Sequence, residues 1–113
     1  MFSSALHELF GGRAAEAVLL HLFHHGETHG RALAMDFSVS LVSVQRQLER
    51  FARAGVITCR HQGRTVVYSW NPKSRLATRL RDLVAVVHEG MSPQAKAALF
   101  MVDKQPGGQD RLA

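Results

Sequence analysis

Residues 41–70, LVSVQRQLERFARAGVITCRHQGRTVVYSW, decide the fold. Leu41, Val44, Leu48 and Phe51 recur at intervals of three and four, which puts them on one face of a helix. The opposite face is polar and carries Ser43, Gln45, Arg46, Gln47, Glu49, Arg50 and Arg53. This spacing predicts a helix over residues 41–54, with Ser40 as its N-cap and Gly55 as the glycine that ends it. Val56 to His61 then reads as a strand, Gln62-Gly63-Arg64 as a turn, and Thr65 to Trp70 as the returning strand. The β-branched and aromatic residues Thr65, Val66, Val67, Tyr68 and Trp70 favour a pleated, half-buried surface. Asn71-Pro72 closes the unit.

Upstream, Leu6, Leu9 and Phe10 predict a short opening helix ending at Gly11-Gly12. From Arg13 to His24, the residues Ala15, Val18, Leu19, Leu22 and Phe23 form an apolar helical stripe, and Gly26 stops it. Thr28 or His29 opens another short helix reaching Phe37, with Leu33 and Phe37 a turn apart on its buried side. Ser38-Val39-Ser40 is a tight connection into the 41–54 helix. Downstream, Leu76, Leu80, Leu83, Val84 and Val87 mark a further helix ending near Gly90. Ser92-Pro93, an N-cap followed by Pro at the first helical position, starts a last helix through about Val102. The fold class expected is mainly α with a two-stranded β-hairpin. The expected organisation is one domain over residues 1–90, a C-terminal helix over 91–102 and a polar, Gly/Pro-containing disordered tail over 103–113.

Charge is segregated along the chain. Between Leu41 and Arg81 there are nine Arg or Lys and one acidic residue, Glu49, a local balance of +8 within a chain of net charge +5. A sequence pI near 10.4 favours a polyanionic partner. A length of 113 residues suits one compact domain, and 46% hydrophobic with 20% charged residues is ordinary for a globular protein. No apolar run approaches the roughly 18 residues of a membrane span, so neither a membrane span nor a membrane partner is expected. Met1 to Phe10 lacks the basic start and long apolar run of a secretory signal, and the lone Cys59 has no internal disulfide partner. A cytoplasmic location is the expectation.

Basic charge on a helix and on the adjacent hairpin is what gripping a nucleic-acid duplex requires. The polar face of the 41–54 helix can enter a major groove, where Arg pairs with guanine O6/N7 and Gln with adenine N6/N7. Ser43, Gln45 and Arg46 are the candidate base-facing residues, and Arg50 and Arg53 lie further along, where phosphates are nearer. The hairpin tip, Arg60-His61-Gln62-Gly63-Arg64, suits the neighbouring backbone or minor groove. The full set of candidate contacts is Ser40, Val42, Ser43, Gln45, Arg46, Arg50, Arg60, Gln62 and Arg64.

Leu41 to Trp70 resembles the recognition helix and wing of ArsR-type winged helix-turn-helix transcriptional regulators. Leu9-Phe10-Gly11-Gly12-Arg13, Leu48-Glu49-Arg50, Ala54-Gly55-Val56-Ile57, Gly63-Arg64 and Tyr68-Ser69-Trp70-Asn71-Pro72 are similar to small bacterial and archaeal winged-helix proteins. Some of those lie beside nucleotidyltransferase domains. The resemblance covers residues 6–87. It implies a winged helix-turn-helix fold and a sequence-specific regulator, a repressor by expectation, acting as a homodimer on double-stranded DNA. It places the dimer surface on the first and last helices, near residues 5–24 and 75–102.

Other readings compete with this one. His21, His24 and His25 are within helical reach of a single metal ion, but histidines at a helix end are more commonly solvated or opposite the helix dipole. Asp82, His88 and Glu89 occupy the helix where some ArsR-type sensors hold metal, yet Asp82 and His88 are six residues apart and share a face poorly. No metal ligand and no cofactor is therefore expected, while a small-molecule or metal effector is left open. By strand parity Cys59 falls beside Ile57 as a small buried hydrophobe. Phe10-Gly11-Gly12-Arg13 is faintly similar to the start of a nucleotidyltransferase site, but no Asp-x-Asp follows to hold catalytic metals. With no Gly-x-Ser-x-Gly motif and no phosphate-cradling loop, catalysis is not expected. The alternatives to a DNA-binding regulator are a winged-helix protein–protein interaction module and a metal-sensing regulator.

Overall fold

A computed structural model describes residues 3–100 of the chain. Its elements are α1 (Ala5–Phe10), α2 (Arg13–His25), β1 (Glu27–Thr28), α3 (Gly30–Phe37), α4 (Leu41–Arg53), β2 (Ile57–Gln62), β3 (Thr65–Trp70), α5 (Arg75–Glu89) and α6 (Pro93–Leu99). The molecule is mainly helical, with one small antiparallel sheet ordered β1-β3-β2. The sheet has three strands and corrects the two expected. Glu27 pairs with Ser69 and Thr28 with Tyr68, so the segment before α3 lies on the edge of β3. A two-residue strand leaves no period-2 signature, and its pairing partner lies about forty residues away in sequence. The expected end of the last helix at Val102 and the tail over 103–113 fall outside the described residues.

Helix α2 is the axis of the core. Every residue from Ala15 to Leu22 is buried, and the helix packs against α1, α3, α4 and α5. The stripe legible in its sequence thus widens to include Leu20, Glu16 and His21. Each fully buried Leu here stabilises the fold by roughly 1.5–3 kcal/mol relative to solvent exposure. The buried carboxylate of Glu16 on α2 is matched by partners. Glu16 accepts from the backbone N–H and hydroxyl of Ser4, the hydroxyl at 2.7 Å, and meets Arg13 at 3.5 Å. The other Arg13 nitrogen donates to the Phe37 carbonyl at 3.2 Å, with the guanidinium 5.6 Å from the Phe37 ring centroid. Arg13 is a brace between α2 and α3.

Each of α3, α4, α5 and α6 opens on a side-chain cap. His29 Nδ1 accepts from Ala32 N–H, and Ser40, Ser74 and Ser92 accept from Ser43, Ala77 and Ala95. Helix α3 ends on Ser38 in the left-handed region, φ 55° and ψ 45°, which turns the chain into α4 within three residues. At Gly30 the two helices come close: a Cβ there would lie 3.3 Å from Leu41 Cδ1. Val44, Leu48 and Phe51 of α4 are buried as expected, with Leu41 packed at the core margin.

The hairpin turns at Gly63-Arg64 between paired Gln62 and Thr65. Gly63 has φ 65°, the conformation asked of the first central residue in a two-residue type II′ loop. Its base is anchored by Asn71, whose side-chain amide donates to the Gly55 carbonyl at 2.8 Å and whose N–H donates to Val56 O at 3.0 Å. Beyond Ile57, every residue of β2 is exposed. Cys59 is therefore exposed, against expectation. Strand parity assigns it to the inner face, but the hairpin has by then projected past the core. Helix α6 turns Leu99 and the following Phe100 into the core, which also takes up Met91. No helix among the described residues is long and apolar enough to cross a membrane.

Candidate functional site

The sequence-selected residues fall into two exposed groups, one on α4 and one on the hairpin. On α4, Val42 (64% exposed), Gln45, Arg46 and Arg50 point to solvent, opposite the buried Val44, Leu48 and Phe51. Ser40 and Ser43 are partly spent on local structure. The Ser40 hydroxyl accepts from Ser43 N–H at 3.1 Å and donates to Ser43 Oγ at 2.8 Å. Ser40 is thus the cap that fixes the start of α4, and Ser43 Oγ accepts from it. Arg50 donates to Gln47 Oε1 at 3.1 Å, one turn back on the same helix.

Next to this face lies a groove of about 380 Å³, lined by Gly12 and Arg13 of the α2 start and by Ser40, Ser43, Arg46 and Gln47 of the α4 start. The positive ends of two helix dipoles thus border one concavity, with the Arg46 guanidinium beside them. Backbone N–H groups at such ends, with a cation added, favour an anion. The Gly11-Gly12-Arg13 turn, noted in the sequence for another chemistry, is one wall of this groove.

The hairpin group is less uniform than its composition suggests. Arg60 is held by Glu27 of β1 through two contacts at 3.1 Å, one to each carboxylate oxygen, a bidentate fork. The hydrogen bond and charge of Glu27 raise the Arg60 pKa further. Arg60 also reaches Gln62 Oε1 at 3.2 Å. Its cross-strand partner Val67 is 7% exposed although it stands outside the main core cluster. The Glu27–Arg60 fork lies on the same face of the sheet and roofs it. Arg64, on the turn itself, is exposed. The hairpin therefore presents Arg64 openly, while Gln62 is exposed but accepts from Arg60, and Arg60 is neutralised by Glu27. Glu27 carried no signal in the sequence, because its partner comes from a strand it does not pair with.

His21, His24, His25 and His88 gather at the opposite end of α2. His21 is buried rather than solvated, 3% exposed, with Nδ1 2.8 Å from Thr28 Oγ1 and Nε2 2.8 Å from Asp36 Oδ2. His24 and His88 share a hydrogen bond of 2.9 Å between α2 and α5. Burial, then Lys96 and His24, lower the His88 pKa below 6.5, against a smaller opposing effect of Glu89. Asp82 sits apart, exposed beside Arg79 at 3.6 Å. The trio His21, His24 and His25, weighed in the sequence and set aside as a metal site, thus divides, and so does the trio on α5.

The apolar face of α5 divides as well. Ala77 and Val84 are buried and Leu80 and Val87 pack at the core margin, while Leu76 (62%), Leu83 and Val86 (68%) are exposed. On α1, which packs against α5, Leu9 is 64% exposed. No protein-family model, curated protein or solved structure matches this chain.

Proposed function

We propose that this chain is a winged helix-turn-helix protein that binds double-stranded DNA as a homodimeric transcriptional regulator. In this reading α3 and α4 are the helix-turn-helix, α4 enters the major groove, and β2 and β3 are the wing. The observation that carries it is the exposed polar face of α4, with Gln45 and Arg46 in its first two turns, flanked by a groove bordered by two helix N-termini and by a basic hairpin. Gln45, Arg46 and Ser43 have the donors for base edges. The groove and Arg64 suit phosphates, which position the protein without reading sequence.

Selecting bound sequences from a random duplex pool tests the reading directly. A two-fold motif with half-sites about 10 base pairs apart supports a dimer of recognition helices. Affinity should fall steeply with salt as phosphate contacts release counterions. Folded protein that binds no duplex at low salt refutes the proposal.

A second reading, a protein–protein interaction module, is favoured by the exposed Leu76, Leu83 and Val86 on one side of α5. In the first reading that stripe meets a second copy of the chain; in the second it meets a different protein. A sedimentation mass of one chain at micromolar concentration removes the homodimer.

A further inference from the structure

We infer that His21, His25 and Asp36 form a binding site for one divalent transition-metal ion, zinc by their donor chemistry. His21 and His25 are one turn apart on α2, with ring centroids 4.2 Å apart, and Asp36 approaches from α3. One ligand atom from each lies within 4.8 Å of the others. Two imidazole nitrogens and a carboxylate oxygen are a donor set that zinc and its neighbours take readily, and a fourth position stays open for water.

The surroundings are those of a supported site. His21 Nδ1 is 2.8 Å from Thr28 Oγ1, and the Thr28 hydroxyl can in turn donate to the His29 carbonyl at 3.5 Å. With a metal ion on Nε2, Nδ1 carries the ring proton and donates to Thr28 Oγ1, and Nε2 faces Asp36 at 2.8 Å. A hydrogen bond on the far nitrogen is what fixes the tautomer and aim of a metal-binding imidazole. Metal ligands bind in their deprotonated forms, so an ion at these residues competes with protons for them. Both side chains of this pair are 3% exposed, and Phe100 walls the cluster, its ring centroid 6.1 Å from His21 and 5.7 Å from His25. Such a dry wall strengthens ion–carboxylate attraction.

The geometry needs modest adjustment. Tetrahedral zinc at 2.0–2.2 Å from its ligands holds donor atoms about 3.3 Å apart. The His21–Asp36 edge must open by about 0.5 Å, and the widest edge must close by about 1.5 Å, within the range of ring rotation at the half-buried His25. The site ties α2 to α3 across β1. It stands independently of any DNA contact.

The test uses the full chain, stripped with chelator and titrated with Co²⁺ as a visible probe of four-coordination, followed by displacement with Zn²⁺. One equivalent should bind with ligand-field bands and proton release. His25→Ala and Asp36→Asn should each weaken binding at least about tenfold, as even supporting-shell losses do. His24→Ala and His88→Ala should leave it within a few fold. In the unmodified chain, zinc should move the ring ¹⁵N signals of His21 and His25 and leave those of His7 and His61 in place, a readout that needs no variant to fold. Absence of bands and of ¹⁵N shifts overturns the site. So does binding that survives His25→Ala and Asp36→Asn but is lost in the His24→Ala/His88→Ala double variant, which moves the ion to the outer pair.

Discussion

On the proposed DNA-binding reading, neutralising Glu27 should strengthen duplex binding and make it more salt-sensitive, because Glu27 holds an arginine of the hairpin. Arg60 is forked onto Glu27 by two 3.1 Å contacts, whereas Arg64 is exposed on the turn. Each phosphate contact changes the slope of log affinity against log salt by about 0.9, so between 50 and 200 mM salt one contact is worth about 3.5-fold. Arg64→Ala should make the slope shallower by about 0.9. Arg60→Ala should change it by much less, since the Arg60–Glu27 pair carries no net charge. Glu27→Gln should free Arg60 for a phosphate, steepen the slope by up to about 0.9 and raise affinity several-fold at 50 mM salt. The assay is fluorescence anisotropy of a labelled duplex at four or five salt concentrations, with a thermal melt of each variant because the fork also roofs Val67. If Arg60→Ala flattens the slope as much as Arg64→Ala, and Glu27→Gln leaves it unchanged, the fork opens freely on binding and the reasoning fails.

Three further outcomes are expected. Arg46→Ala should reduce discrimination at one base position by about 1–3 kcal/mol, while Arg64→Ala lowers affinity evenly across sequences; identical selected motifs for both variants would refute that division. Ser38→Gly should stabilise the fold by about 0.5–1 kcal/mol, since Ser38 sits at φ 55° where a Cβ is strained, less the extra unfolded-state entropy of Gly; urea unfolding with an unchanged midpoint counts against strain there. Because the His88 pKa is lowered in the folded state, the unfolded chain binds the proton first, so the stability contributed by neutral His88 is intact above its unfolded value of 6.5 and is lost as pH falls from there through the lower folded value. Melting temperatures from pH 7.5 to 5 should therefore fall less in His88→Gln than in the parent, and parallel declines would dismiss His88 as a source.

What the sequence disclosed was whatever is written locally. The α4 stripe, the serine caps at Ser40 and Ser92, and the glycine stop at Gly55, which has φ 82°, all depend on residues within one turn of each other. The strand boundaries of the hairpin were likewise near their sequence positions. Three features escaped for one reason: each depends on contacts between elements that sequence spacing does not encode. β1 exists because β3 has a free edge. Cys59 is exposed because the hairpin leaves the core after Ile57. His21 is buried because Asp36 and Thr28, fifteen and seven residues away, supply polar partners inside an apolar packing. The splitting of the α5 apolar face between Val84 inside and Val86 outside follows from where α2 and α1 stop covering it.

Strand β1 is only two residues long, and they face opposite ways. Glu27 looks outward and grips Arg60 of the hairpin, while Thr28, the next residue, looks inward and holds His21 of the central helix. A single peptide unit is therefore the shared wall between the charged exterior of the hairpin and the imidazole cluster behind it. An insertion of one residue at this point would exchange the two orientations, and both the fork and the buried contact would be lost together.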